Sequence, residues 1–252
     1  SLRNGRFCEQ AGHQLEENDL QHGWKKTMKI HNIVALALLL TTAACSPQKK
    51  YPLQSKQAAS GDWTLPYGEW DFSFITPKDL LADVNHARVI DTDGYLYTFN
   101  TLDQTSPDPG SVDKWTDVTF GGRAHFNKVK KPPQYIVFCW DSYADQKTYE
   151  TRAVFGPETW QRMKTPADHT RPSGAPVWYS RMVFGLSPGG KVKVWFSDVA
   201  GRPSLPVKPR SLITLSGNDL DLCKAFNTPV ENYIQSIEEI SKGRTYPYGN
   251  WD

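Results

Sequence analysis

Residues 179–196 read YSRMVFGLSPGGKVKVWF, from Tyr179 to Phe196. Two β-rich arms, Tyr179–Leu186 and Lys191–Phe196, flank Ser187-Pro188-Gly189-Gly190. In the second arm Val192, Val194 and Phe196 alternate with Lys191, Lys193 and Trp195. That two-residue period places one row on a core and the other on the opposite face. Turn formers between two such arms predict a hairpin.

The same pattern extends upstream. Glu69–Phe74 alternates as a half-buried strand. Ala87–Ile90 and Tyr95–Phe99 flank Asp93-Gly94, a pair that suits the positive φ of a tight hairpin turn. Tyr135–Trp140 is an apolar run that fits a core strand, with Thr148–Phe155 as its partner. Residues 101–131 are polar and turn-rich, and predict an exposed loop around a short strand near Trp115–Phe120. Pro157–Met163 predicts one or two helical turns with proline near the start. Pro203–Pro209 reads as irregular or as a sheet edge. Asn218–Ile240 reads as helical, interrupted at Pro229, with Gly243 placed as a C-terminal cap. The aromatic tail Tyr246–Trp251 is expected to dock back on the domain. The fold class is therefore mainly β with additional helices (α+β), a β-sandwich-like core followed by a C-terminal helical segment.

A different signal lies upstream. Met28–Ser46 reads MKIHNIVALALLLTTAACS. Lys29 supplies a positive start, Ile33–Leu40 is an unbroken apolar run, and Thr42-Ala43-Ala44 leads into Cys45. A membrane span needs about 20 apolar residues, so this run fits the core of a cleaved export signal. The order resembles a bacterial lipobox, which implies acylation of Cys45. Several acyl chains, at about 0.8 kcal/mol per buried methylene, would hold the protein at a membrane surface. Ser46 in the next position implies the periplasmic face of the outer membrane. Residues 1–27 are polar and aperiodic and are read as upstream of the native start at Met28, the alternative being a real extension that keeps some copies in the cytosol. The domain plan is thus 1–27 upstream, 28–44 signal peptide, 45–66 lipidated N-terminus and tether, and 67–252 a single β-rich domain.

Composition narrows the function. The chain carries 29 basic and 27 acidic residues. So even a balance lacks the basic footprint of a nucleic-acid binder. Four cysteines are present, and beyond Cys8 and Cys45 the remaining two are Cys139 and Cys223. In an oxidising compartment they can persist as a disulfide, or they can stand as buried free thiols.

The search for catalytic chemistry finds little. Gly185-Leu186-Ser187-Pro188-Gly189 matches the nucleophile-elbow pattern, but a strand, not a helix, is expected after Ser187. No histidine follows His169 to complete a triad in that order. Asp91-Thr92-Asp93-Gly94 resembles the start of a calcium loop but lacks its later ligands. His86, His125 and His169 show no metal-ligand spacing, and Asp141 and Asp145 read as solvated carboxylates. No catalytic residue, metal or cofactor is assigned. The aromatic residues are more suggestive, because tryptophan and tyrosine anchor interfaces. Trp70 and Trp140 read as core. Trp115, in a polar loop with Asp108, Asp113 and Asp117, reads as an exposed anchor, and these four with Arg123 are the candidate partner-binding residues.

An ordered set of motifs adds a resemblance. The lipobox Cys45 is followed by Tyr67-Gly68-Glu69-Trp70-Asp71-Phe72, Val89-Ile90-Asp91 with Gly94, and Trp140-Asp141-Ser142. Then come Gly185-Leu186-Ser187-Pro188-Gly189-Gly190 with Lys193-Val194-Trp195, and Tyr248-Gly249-Asn250-Trp251. From Cys45 to Asp252 the chain resembles a family of proteobacterial lipoproteins carried as a domain of unknown function. Some members are similar to immunity proteins that neutralise type VI secretion lipase effectors in the periplasm. The resemblance implies a non-enzymatic inhibitor, lipid-anchored in the membrane, whose partner is a phospholipase or lipase effector. The alternative is an envelope lipoprotein that binds a glycan or another envelope protein.

Overall fold

A computed structural model describes residues 57–117, 124–198, 200–226 and 234–252. The expected signal peptide, Cys45, Arg123, residues 118–120 of the expected short strand, and the region around Pro229 lie outside the described residues.

Two sheets stack face to face. The first is six-stranded, built from β1 (Trp70–Pro77), β4 (Ser106–Asp108), β5 (Lys128–Val129), β8 (Arg181–Ser187), β9 (Lys191–Phe196) and β10 (Leu205–Val207). Its order is β10-β9-β8-β1-β4, with β5 also on β1. The second is five-stranded, from β2 (Ala82–Asp91), β3 (Leu96–Phe99), β6 (Pro133–Ser142), β7 (Lys147–Val154) and β11 (Ser211–Ser216), in the order β11-β7-β6-β2-β3. Most neighbours are antiparallel, but β1 runs parallel to both β8 and β4. Helix α1 (Pro157–Lys164) follows β7. Two 3₁₀ turns, Gly217–Asp219 and Leu222–Phe226, and helix α2 (Ile234–Ser241) follow β11. The fold is α+β, a sandwich with few helices, one of them near the C-terminus. Among the described residues no helix is long and apolar enough to cross a membrane.

The core forms between the inner faces. Trp70, Phe72 and Phe74 of β1 meet Phe138 and Trp140 of β6 and Phe184 of β8. Phe138 bridges the sheets, with ring centroids 4.9 Å from Phe74 and 5.2 Å from Phe184. The continuous apolar run in β6 has a simple cause, since both its faces are covered. Ile136, Phe138 and Trp140 face the core, whereas Tyr135, Val137 and Cys139 belong to outer clusters with Leu220, Leu222 and Cys223.

A disulfide joins Cys139 of β6 to Cys223 in the second 3₁₀ turn. Beside it the fully buried Glu150 of β7 accepts the N–H groups of Asp221 (2.9 Å) and Cys223 (3.0 Å) and pairs with Arg152. The 3₁₀ turns thus lie over the outer face of the second sheet. On the first sheet, Arg181 holds Asp71 through two nitrogens, Nε at 2.5 Å and Nη2 at 3.2 Å.

Four local readings need correction. Trp115–Asp117 is not strand; Lys114 forms a single bridge to Asn250, and loop 101–131 instead contributes β4 and β5. β11 is a six-residue strand that the pattern did not predict. Residues 217–226 wind as 3₁₀ turns, where Gly217, Asn218 and Asp219 favour turns over helix. Residues 57–66, assigned to the tether, lie against the domain. Leu65 is buried in the core, the Trp63 ring meets Trp160 of α1 at 5.0 Å, and the Ala59 N–H donates to the Thr92 carbonyl.

Candidate functional site

The sandwich has two unlike poles. At one, residues 57–64 enter between the β2–β3 turn, the start of β6 and α1. Ala59 bonds Thr92, Gln134 Nε2 donates to the Gln57 carbonyl, and Trp160 Nε1 donates to Pro133 O. Strand β6, ten residues long, runs from this pole to the other, about 30 Å away at the rise of an extended strand. There the β6–β7 turn, the β8–β9 turn and the C-terminal tail meet.

The β8–β9 turn is shaped by close contacts. Gly190 has φ +70°, and a Cβ there would sit 2.7 Å from the Tyr149 ring. Gly185 is required for a different reason. A Cβ on it would lie 2.6 Å from Trp195 and 2.8 Å from Trp115, so two indoles rest directly on its backbone. Ser187 of the elbow-like pattern is 2% exposed and donates its hydroxyl to the Lys191 carbonyl. Its setting is strand, turn, strand, which does not present it as an elbow nucleophile.

One carboxylate ties the three pieces together. Asp145 of the β6–β7 turn accepts the Gly189 N–H at 3.0 Å and the Tyr149 hydroxyl at 3.1 Å. The Tyr246 hydroxyl of the tail also bonds Asp145. Burial first, then this carboxylate, push the Tyr246 phenol up to about 12 and the Tyr149 phenol higher still. Both are therefore neutral donors at neutral pH.

The tail docks as expected. Trp251 is 1% exposed, packs with Leu80 and Ala144, and donates Nε1–H to Pro247 O. Arg244 donates to Val112 O, to Asp113 Oδ1 at 2.9 Å and to Tyr248 O. The Asn250 N–H donates to the Asp113 carbonyl. Lys191 pairs with Asp252 at 2.7 Å, and Lys193 reaches the Asp252 main-chain oxygen.

Sequence-based partner candidates divide at this pole. Trp115 is not the exposed anchor its polar neighbours suggest. Its ring is half-buried, 5.3 Å from Trp195 and 5.5 Å from Trp251, so it bridges sheet and tail. Asp113 has an exposed carboxylate but spends it on Arg244. Asp108 accepts the Ser111 hydroxyl at 2.6 Å and the Gly110 N–H, which shapes its own loop. Asp117 is exposed. Arg123 lies outside the described residues.

The remaining polar candidates serve structure. Asp91 Oδ1 accepts the N–H groups of Asp93 and Tyr95, which closes the β2–β3 turn in place of a calcium loop. Asp141 accepts Thr148 Oγ1 and Asn85 Nδ2, and burial raises its carboxyl above the usual range. His86 is 1% exposed and stacks on Phe226 at 4.2 Å. Among the described residues no group of three His, Cys, Asp or Glu side chains has metal-binding geometry. Pattern reading missed Glu150 and took Asp145 for a solvated carboxylate. Their signals, an acid inside a strand and an acid inside a hairpin turn, are common to many exposed carboxylates.

Two grooves open at the same pole. One, of about 690 Å³, lies between Lys78–Leu81, Pro107, Pro109 and α2. The other, of about 460 Å³, lies between β9 and β11, beside Trp251 and Asp252.

A family model described as "Protein of unknown function (DUF2931)" matches residues 46–249, most of the chain. No curated protein and no solved structure matches it.

Proposed function

The chain belongs to the DUF2931 family, and on that premise we propose that it is a periplasmic lipoprotein that binds and neutralises a type VI secretion phospholipase or lipase effector. Cys45 carries the lipid, and the domain sits on the periplasmic face of the outer membrane. The protein acts by occupying the effector's surface, not by chemistry of its own.

The observation that carries the reading is the separation of the two poles. Residues 57–64 lie at one, next to Thr92 and Trp160, and the proposed lipid on Cys45 precedes them in the chain. Three of the motifs that carry the family resemblance gather at the other: Trp140-Asp141-Ser142, Gly185–Gly190 with Trp195, and Tyr248–Trp251. Residues 46–56 can extend to roughly 35–40 Å. A tether of that reach holds the domain beside the membrane the effector attacks and raises its local concentration there. The far pole lies at the opposite end of the domain from residues 57–64, and its side-chain cluster offers a surface to an incoming protein.

Deletion of the gene tests this reading in cells. The deletion strain is expected to lose in contact competition with a sibling carrying the lipase effector, and to recover when the gene is restored. A deletion strain that competes as well as its parent overturns the proposal.

A further inference from the structure

Among the described residues the two sheets end in four edge strands, and they are not alike. β4 and β10 each carry a central proline, Pro107 and Pro206, which cannot donate to an added strand. β3 is only four residues long. β11 is six residues long, Ser-Leu-Ile-Thr-Leu-Ser, with no proline and no charge. Edges are normally blunted by short length, proline or lysine, and among the described residues β11 carries none of these devices.

β11 borders the groove of about 460 Å³ beside β9. Leu212, Thr214 and Ser216 line it from one side, and Lys191, Val192 and Lys193 from the other. Leu212 is 36% exposed. The two lysines already hold an acid. Asp252 lies between them with its side chain 80% exposed, so water and other acids can reach the same cations. An unblunted edge supplies main-chain hydrogen bonds, and the groove beside it supplies an apolar floor with paired cations.

We propose that β11 is the docking edge for a partner protein. The partner contributes an extended segment that adds as a further strand of the second sheet. Its groove-facing residues are apolar over Leu212 and Val192, and acidic at Lys191 and Lys193, where they displace Asp252. This rests on the reading of the protein as a binder of another protein, and it specifies the segment that the partner supplies. Strand addition obtains affinity from the main chain and selectivity from alternate side chains.

The test uses two capped peptides of the same length whose groove-facing row, every second residue, mixes valine with glutamate in one and valine with lysine in the other, the opposite row being threonine in both. Each is added to the full-length protein, and amide hydrogen exchange is followed by mass spectrometry. The glutamate peptide is expected to slow exchange across residues 211–216 by about tenfold, as newly paired strand amides do. The lysine peptide is expected to leave it unchanged. Leu212→Lys, at an exposed position, is expected to abolish the protection. The paired change Lys191→Glu with Lys193→Glu is expected to transfer it to the lysine peptide. No protection by either peptide, or equal protection by both, overturns the inference. So does a dimer in sedimentation that Leu212→Lys converts to monomer, since the edge is then occupied by a second copy. The purified effector is measured in parallel. If it binds wild type and Leu212→Lys equally, the docking edge is wrong and the neutralising role stands. If the glutamate peptide binds β11 and the effector does not bind at all, the role is wrong and the edge stands.

Discussion

Removing the disulfide is the most informative perturbation of the fold. Cys139 and Cys223 are 84 residues apart in sequence. Closing a loop of that length lowers the entropy of the unfolded chain by an amount worth about 4.5 kcal/mol at 25 °C. Cys139→Ser with Cys223→Ser restores that entropy to the unfolded state. For a domain of this size, about 1 kcal/mol corresponds to roughly 2–4 °C, so the double variant is expected to melt about 9–18 °C lower. The loss has a local side as well. The cross-link holds the turn that gives buried Glu150 two N–H donors, while Arg152 supplies the remaining charge partner. Amides of residues 221–226 are therefore expected to exchange faster in the variant than those of β6. The assay is urea denaturation followed by circular dichroism, with and without a reductant. Reductant should move the wild-type midpoint to that of the variant and leave the variant unchanged. A double variant within about 1 kcal/mol of wild type, well below the loop-closure value, refutes the reasoning. It would mean that the turn's hydrogen bonds and outer-face packing hold the chain ends together in the unfolded ensemble or make the cross-link redundant.

Other perturbations follow from single contacts. Gly185→Ala places a methyl group inside two indoles and is expected to cost about 1–3 kcal/mol with a changed tryptophan fluorescence spectrum, read in the same denaturation assay. Asp71→Ala leaves the Arg181 guanidinium, 6% exposed, without its carboxylate and is expected to cost about 3–5 kcal/mol. His86 responds to acid. Burial lowers its folded pKa beneath the unfolded value of about 6.5, so the unfolded state takes up the proton first. The stability it confers is complete above about pH 6.5 and is lost as pH falls through that value towards the folded pKa. His86→Phe is expected to flatten the stability profile just below pH 6.5, measured as urea midpoint against pH.

Much of the sandwich is legible in sequence because its signals are local. Asp93-Gly94 between Ala87–Ile90 and Tyr95–Phe99 encodes the β2–β3 hairpin within a few residues. Gly189-Gly190 does the same for β8 and β9. Tyr135–Trp140 reads as a core strand because both its faces are covered. β11 escapes notice because Ser211–Ser216 alternates weakly and its identity as a strand comes from pairing with β7 over a long sequence separation. Trp115 misleads for a related reason. Its neighbours Asp113 and Asp117 are polar, but the partners that cover it, Trp195 and Trp251, are far away in sequence. Asp145 at the far pole is equally opaque. Nothing near it in the chain announces that Gly189 and Tyr246 will converge on its carboxylate.

The direct measurement is a titration of the effector's phospholipase activity on liposomes with the purified, full-length protein. Hydrolysis is expected to fall in proportion to added protein and to stop near equal amounts, as a tight stoichiometric binder requires. Undiminished hydrolysis in the presence of excess protein, with the effector shown to be active, would contradict the account.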